Sequence, residues 1–424
     1  MTNTDVLVCG GGIAGPALAY CLHRQGFRPV VVERAPALRP GGQTVDLRGV
    51  ARTVVERMGC MDRVREVSLD QRGFALVDDD GRILARMPTE LFGGEGIISE
   101  IEVLRGDLSR VFYEASTPHT EYLFDDTVTA IEQDRDGVTV RFERAPERRF
   151  AFVVGADGLH STVRNLAFGP EEACVQSLDC QLAWFTAPGD DELDGWYLMH
   201  NAPGGLVTSI RPGRLPNESK AGFAFRSKRL DVDRRDLARQ KDIVAKTFAD
   251  VGWKAPKLVE AMRGASDFVL AELGQVRLDS WSRGRVVLLG DSAWCPSPLT
   301  GLGTSLAVVG AYVLAGELAA AHGDYRVAFP RYEALMRPYV KRNQELPPGG
   351  VKGFAPDTAL SISMRAMSMR WMGRWPLRNL LAGQFNKAAD FKLPDYGWLD
   401  GHVTTGNGAR AAKTTSPALE QRAS

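Results

Sequence analysis

The chain has 424 residues, 44% hydrophobic and 25% charged, an ordinary balance for a globular protein with room for two or three structural lobes. Its 52 basic and 52 acidic side chains cancel, so no net charge draws it to nucleic acid or an acidic membrane. Six cysteines without a Cys-x-x-Cys spacing and six histidines without a His-x-x-x-His spacing argue against a zinc site or a redox dithiol, and no metal is expected.

In chain order, the apolar run Asp5 to Cys9 breaks into Gly10-x-Gly12-x-x-Gly15 and enters a helix near Pro16. This pattern predicts a strand, a turn and a helix whose N-terminus faces a dinucleotide pyrophosphate. Gly10 suits the tight turn, Gly12 the approach of phosphate to backbone, and Gly15 the close packing of helix on strand. A second apolar run, Val30 to Val32, ends in Glu33, the carboxylate that a ribose would need about twenty residues on. No basic, apolar leader precedes the first strand, which predicts a reducing, cytoplasmic setting.

After a Pro/Gly loop at 35–42, a helix is expected from Val50 to Met58, and two strands around Asp78-Asp79-Asp80-Gly81 form a hairpin. Leu108, Val111, Phe112 and Ala115 recur at helical spacing behind Arg105, with Asp107 as a helix cap. Strands flank Asp134–Gly137, and Phe150 to Val154 reads as one buried strand ending at Gly155-Ala156-Asp157-Gly158. Residues 173–275 turn β-rich, with a helix around Leu237–Val251. Val286 to Leu289 is another buried strand, ending at Gly290-Asp291, and helices follow from Thr304. The apolar stretch Thr304–Ala321 is short, carries Glu317 and is interrupted by Gly310 and Gly316, so a buried helix is expected rather than a membrane span.

The fold class implied is α/β: a discontinuous Rossmann-type nucleotide-binding domain (1–73, 101–172 and 276–330) with an inserted β-sheet substrate domain (74–100 and 173–275). C-terminal helices at 331–400 and a poorly ordered polar tail at 401–424 complete the layout.

Three motifs at strand ends carry a resemblance: Gly10-x-Gly12-x-x-Gly15, Gly155-Ala156-Asp157-Gly158 with Ser161 and Arg164, and Gly290-Asp291-Ser292-Ala293 followed by Pro296, Pro298 and Gly301-Leu302-Gly303. In this order, and over nearly the whole chain to Gly397, the sequence resembles the group A flavin-dependent aromatic monooxygenases of the p-hydroxybenzoate hydroxylase-like fold. Gly41-Gly42-Gln43-Thr44-Val45-Asp46-Leu47 is similar to the branch with tetracycline-inactivating and aromatic-polyketide tailoring enzymes. The resemblance implies FAD held tightly without a covalent bond, with its pyrophosphate on Gly10, Gly12, Ile13, Ala14 and Gly15, its ribose on Glu33, its adenine beside Arg34, and Val128 as a further cofactor contact. It further implies Arg105 near the ribityl and phosphate part, and Asp291 at the ribityl chain or pyrophosphate. Pro298, Gly301, Leu302 and Gly303 would lie against the flavin. Asp157 is a cofactor contact or a helix cap; Asp46 is a flavin-edge carboxylate or an exposed loop acid.

Only one complete glycine fingerprint occurs. This agrees with the family's transient use of NADPH or NADH, which reduces FAD and leaves, O₂ then giving a flavin C4a-hydroperoxide that oxygenates a small phenolic or polycyclic aromatic substrate. Natural-product tailoring or antibiotic inactivation is the implied setting, in a monomer or homodimer without nucleic-acid or membrane partners. Candidate substrate contacts are Gln181, Trp184, Met199, His200, Arg211, Phe223 and Phe225, each also readable as ordinary sheet packing; His200 is the one candidate general base in the inserted sheet. Alternation separates Gln181, Ala183 and Phe185 from Leu182, Trp184 and Thr186, and leaves open which face is inward. The alternatives are another flavoenzyme of the same fold, such as a Baeyer–Villiger oxygenase, halogenase or reductase, or a flavoprotein that binds a ligand without turnover. The halogenase Trp-x-Trp-x-Ile-Pro stretch is not supplied by Gly195-Trp196-Tyr197-Leu198-Met199.

Overall fold

The computed structural model describes residues 4–91, 93–94, 98–372 and 386–397. The expected tail at 401–424 lies outside them.

The first strand, Asp5–Cys9, is the hub of a six-stranded sheet. It pairs in parallel with Arg28–Glu33 on one side and Phe152–Gly155 on the other. Val286–Leu288 and Glu121–Phe124 add in parallel beyond these, and Ser282–Arg283 closes one edge antiparallel. Val6, Leu7 and Val8 are wholly buried, because helices cover both faces of a parallel sheet and an unbroken apolar run is what such a strand needs. Helix Ala14–Arg24 packs on the long helix Gly303–Ala320, as does helix Val50–Arg57. Gly303–Ala320 is long and apolar enough to cross a membrane by composition, but 78% of that window is buried inside the protein. The expected single strand from Phe150 to Val154 is two: Arg148–Phe150 joins a three-stranded antiparallel sheet, while Phe152–Gly155 joins the main one. The chain switches sheets at Ala151.

A seven-stranded sheet runs in spatial order Val269–Val276, Val175–Pro188, Glu218–Arg226, Leu206–Pro212, Trp196–Ala202, Gly73–Val77 and Ile83–Pro88. The last two strands are the hairpin read from Asp-Gly: Asp78 Oδ1 accepts from the Asp80 and Arg82 amides and shapes the turn. Both faces of this sheet are apolar. One, with Ala183, Phe185, Phe223 and Phe225, packs under helices Leu237–Thr247 and Ala255–Gly264. The other, with Phe74, Leu76, Met199, Val207 and Ala224, meets Leu299 and the helices Gly350–Phe354 and Ala359–Met372. A short ribbon, Thr44–Asp46 with Glu102–Leu104, lies between the two large sheets.

Candidate active site

The glycine loop is held by its own backbone. Gly10 has φ +112°, and a Cβ there would lie 2.4 Å from the Ala156 carbonyl oxygen; one on Gly15 would lie 1.9 Å from the Gly10 carbonyl oxygen. Strand end, helix start and neighbouring strand meet at these points with no room for a side chain. A Cβ on Gly12 would approach only the Arg105 Nη2, at 3.3 Å, so Gly12 faces open space and a movable side chain. Glu33 fixes the far rim: Oε2 accepts the Gly11 N–H at 2.7 Å and Oε1 the Ala35 N–H at 2.9 Å, leaving lone pairs on both oxygens. The Asp125 and Asp126 amides donate to the Ala35 and Glu33 carbonyls, which brings the segment leading into buried Val128 alongside. Arg34 is exposed beside it.

From Gly12 a line of polar groups crosses the molecule. Arg105 opens helix Arg105–Ser116, and its amide donates to the Gln43 carbonyl at 2.9 Å, anchoring it beside the Gly41–Gly42 loop. Asp107, expected as the cap, instead lies in the first turn and pairs with Arg214 at 2.8 Å, while Leu104 is the capping residue. Arg105 acts electrostatically on Asp291. The Asp291 side chain opens on the cleft but is ringed by protein, and that desolvation raises its carboxyl while Arg105 pulls it down. Asp291 Oδ1 lies 3.5 Å from where a Cβ of Gly303 would stand. Gly303 begins the long helix, whose first turn has no side-chain cap and therefore retains amide donors and the positive end of the helix dipole. Ser297 at φ +79° and Gly301 at φ +66° bend the Pro298–Thr300 turn into that helix.

The line ends at Asp46. Its Oδ2 receives Arg48 Nη2 at 2.7 Å and Nε at 3.0 Å, and lies 3.0 Å from the position of a Gly301 Cβ. Asp46 Oδ1 is buried without a hydrogen-bond partner. The Arg48 amide donates to Ser305 Oγ, fastening this corner to the long helix. Asp46 is thus neither an exposed loop acid nor fully paired. Next to it, Arg211 bonds Glu102, Thr44 and Gln71 and stands 4.3 Å over the Tyr197 ring. Burial pushes the Glu102 carboxyl up, Arg211 opposes this, and Asp46 adds to it.

The middle motif acts through the fold. Asp157 accepts from Ser161 Oγ and from the Val163 amide, bracing the start of helix Thr162–Phe168, which Ser161 caps. Arg164, 1% exposed, donates to the Ser292 and Leu159 carbonyls, which ties this helix to the Gly290–Ala293 motif.

Alternation on the seven-stranded sheet sorts the substrate candidates. Tyr197 and Met199 share the face turned to Leu299, and strand parity puts Trp184 and Arg211 there too. Gln181, Phe223 and Phe225 do not join them: they point to the helix-covered face, where the Phe223 ring lies 4.5 Å from that of Phe248 at a 45° tilt and Gln181 donates to the Lys228 carbonyl. His200 is also set apart. It is 1% exposed, its Nε2 is 2.9 Å from Asp79 Oδ1, and its ring meets Trp253; burial lowers its basicity. A general base facing the cleft cannot be His200.

Sequence reasoning missed Ser109, whose hydroxyl reaches the Gly11 and Gly12 carbonyls, and Ser292, whose Oγ joins Gly155 to Leu289. It missed Arg48, Glu102 and Arg365 as well. Ser292 stood inside a quoted motif; the others carry no local signal.

The residues fit the FAD implied by the resemblance: a cradle at Gly12 that a side chain would fill, an uncapped helix start, and an orphaned carboxylate oxygen at Asp46. Residues 3–329 match the family described as FAD binding domain. The chain is 44% identical over 355 residues to protein Rv1260 of Mycobacterium tuberculosis, covering 83% of this chain and 94% of the relative. It is 39% identical over 343 residues to a flavin-dependent monooxygenase of Legionella longbeachae, covering 81% and 87%. The crystal structure of the tetracycline destructase Tet(55) superposes with a TM-score of 0.78 at 33% identity, covering 93% of this chain and all of that one.

Proposed function

Because the chain belongs to the FAD binding domain family and is an FAD-dependent oxidoreductase of the flavin-dependent monooxygenase type, we propose that it uses NADPH or NADH and O₂ to hydroxylate a phenolic or polycyclic aromatic small molecule. The setting is natural-product tailoring or antibiotic inactivation in the cytoplasm. The observation that carries this reading is the succession of Glu33 at Gly11, Arg105 at Gly12, Asp291 at Gly303 and Asp46 at Gly301, near an apolar sheet face that includes Leu299. The likeness to tetracycline destructases supports the substrate class, and six free, buried cysteines suit a reducing compartment.

Bound FAD supplies the electron storage and oxygen activation that no side chain can. The chain's residues bind and orient. Glu33 would accept from the ribose, and the Gly10–Ala14 backbone with the start of helix Ala14–Arg24 would take the pyrophosphate. Arg105, with Asp291 behind it, would set a positive charge along the cofactor's middle. The Gly301 amide is held by the Pro298 carbonyl and the Leu302 amide by Thr300 Oγ1, so the Gly303 amide at the start of the long helix would be the donor to the flavin pyrimidine oxygen and would favour an anionic reduced ring. Arg48 immobilises Asp46 by one oxygen, so the other is aimed and free to accept a proton-bearing group of flavin or substrate. Leu182, Met199, Val207, Ala224 and Leu299 would keep water from the reacting centre.

The test is oxidation of NADPH and NADH by the FAD-loaded protein with labelled dioxygen, over a panel of phenols, polycyclic aromatics and tetracycline. Faster oxidation with one panel member and one labelled oxygen atom in its product are expected. Bound FAD with neither result would move the protein to another flavoenzyme chemistry or to ligand binding without turnover.

A further inference from the structure

Three guanidinium groups lie on the cleft face of the seven-stranded sheet and the helix that covers it, and of these Arg226 has the carboxylate of Asp357. Arg211 has the carboxylate of Glu102. Arg365, on helix Ala359–Met372, has none among the described residues: Nη1 donates to Asn201 Oδ1 at 2.5 Å and to the Phe354 carbonyl at 2.8 Å, and Nη2 lies 3.7 Å from Met199 Sδ. Tyr197, under Arg211 and on the same face as Met199, also acts electrostatically on Arg365. Arg365 is itself half-buried and lies against apolar neighbours, with Met199 and, one turn on in its helix, Met369 both buried. Desolvation there lowers its affinity for a proton, to a pKa of about 10, so it stays charged at neutral pH.

A cation held in apolar surroundings by neutral acceptors is an incomplete ion pair. We propose that Arg365 is a specificity-determining residue that takes the anionic group of an ionised aromatic substrate, a phenolate, enolate or carboxylate. This rests on the reading of that sheet face as the substrate chamber. Asn201 and the Phe354 carbonyl aim the guanidinium, and Met199 leaves one edge without a strong acceptor, which is where the ligand oxygen would bind. The substrate class narrows accordingly: an aromatic ring system with an acidic oxygen is preferred over its methylated form.

The test uses the FAD-loaded protein and binding alone, read as the change in flavin absorbance. The probes are para-nitrophenolate beside its methyl ether, and naphthoate beside its methyl ester. Wild type should bind the anion of at least one pair roughly tenfold or more tighter, the size expected of a charge-assisted hydrogen bond. Arg365→Met should remove that preference and leave binding of the neutral partner within about twofold, and Arg365→Lys should keep part of it. Asn201→Asp is the second variant, since a carboxylate at the Asn201 position would complete the ion pair internally; it should abolish the anion preference with Arg365 still present. Equal preference in wild type and both neutralising variants, or none in wild type, overturns the inference while the chamber reading stands. Failure of every aromatic to perturb the flavin overturns the chamber reading and the inference together.

Discussion

Gly12 and Gly15 belong to one loop, yet they answer to different constraints. A side chain at Gly12 meets only a movable arginine end, whereas one at Gly15 meets a backbone carbonyl at 1.9 Å. Gly12→Val is therefore expected to leave apoprotein stability within about 1 kcal/mol of wild type while abolishing FAD retention, checked by denaturant unfolding and by the yellow absorbance after gel filtration. Gly15→Ala should lower apoprotein stability by about 3 kcal/mol. Glu102 gives a second residue-scale expectation. Its folded carboxyl is raised to about 7 by burial, with Arg211 opposing, so the native state binds this proton more tightly than the unfolded chain. Its contribution to stability is then greatest at low pH and falls as pH rises from the ordinary glutamate range to about 7. Glu102→Gln should remove that negative slope from the plot of unfolding free energy against pH. A slope unchanged by the substitution would show that Glu102 ionises normally.

At the scale of elements, helix Thr162–Phe168 depends on a chain of polar contacts that sequence presents as a cofactor motif. Ser161→Ala should cost about 1 kcal/mol through the lost cap. Arg164→Met should cost about 2–4 kcal/mol, because it strips charged donors from two carbonyls. Both variants should keep the flavin spectrum, which a cofactor-contacting role would not allow. The glycine loop, Glu33 and the hairpin at Asp78–Gly81 were legible because turns and close approaches impose residue types locally. The inward face of the inserted sheet was not. Alternation reveals a face only when one side is polar, and here Phe185 and Phe223 meet helices on one side while Met199 and Val207 meet the cleft on the other. His200 stood open between a general base and a packed histidine, and its partners Asp79 and Trp253, far away in sequence, could not be read from it. Arg365 comes from a helix with no motif, and only its lack of a carboxylate neighbour among the described residues distinguishes it.

Across the whole molecule, the six cysteines are free and buried. Burial pushes the thiols of Cys9, Cys21, Cys60, Cys180 and Cys295 up, away from the reactive thiolate. A thiol-specific chromogenic reagent should find fewer than about one group per native chain within minutes, and all six after unfolding. Rapid reaction of the native protein would mean that one of the cores opens readily.

The order of strands in the central sheet also sets a timetable for biosynthesis. Val6 pairs with Phe152, and Val153 in turn pairs with Val286, so the sheet is not complete until about 280 residues after Val6 have been made. At ribosomal rates of about 5–20 residues per second, that is roughly a quarter of a minute to a minute. Val30–Val32 keeps an open, apolar edge until Glu121–Phe124 is made, Val6–Val8 until Phe152–Gly155 is made, and Phe152–Gly155 until Val286–Leu288 is made, each edge in its turn a template on which chains associate wrongly. Recovery of this protein from a foreign host should therefore respond to chaperone supply and growth temperature more than to any gain in the stability of the finished fold.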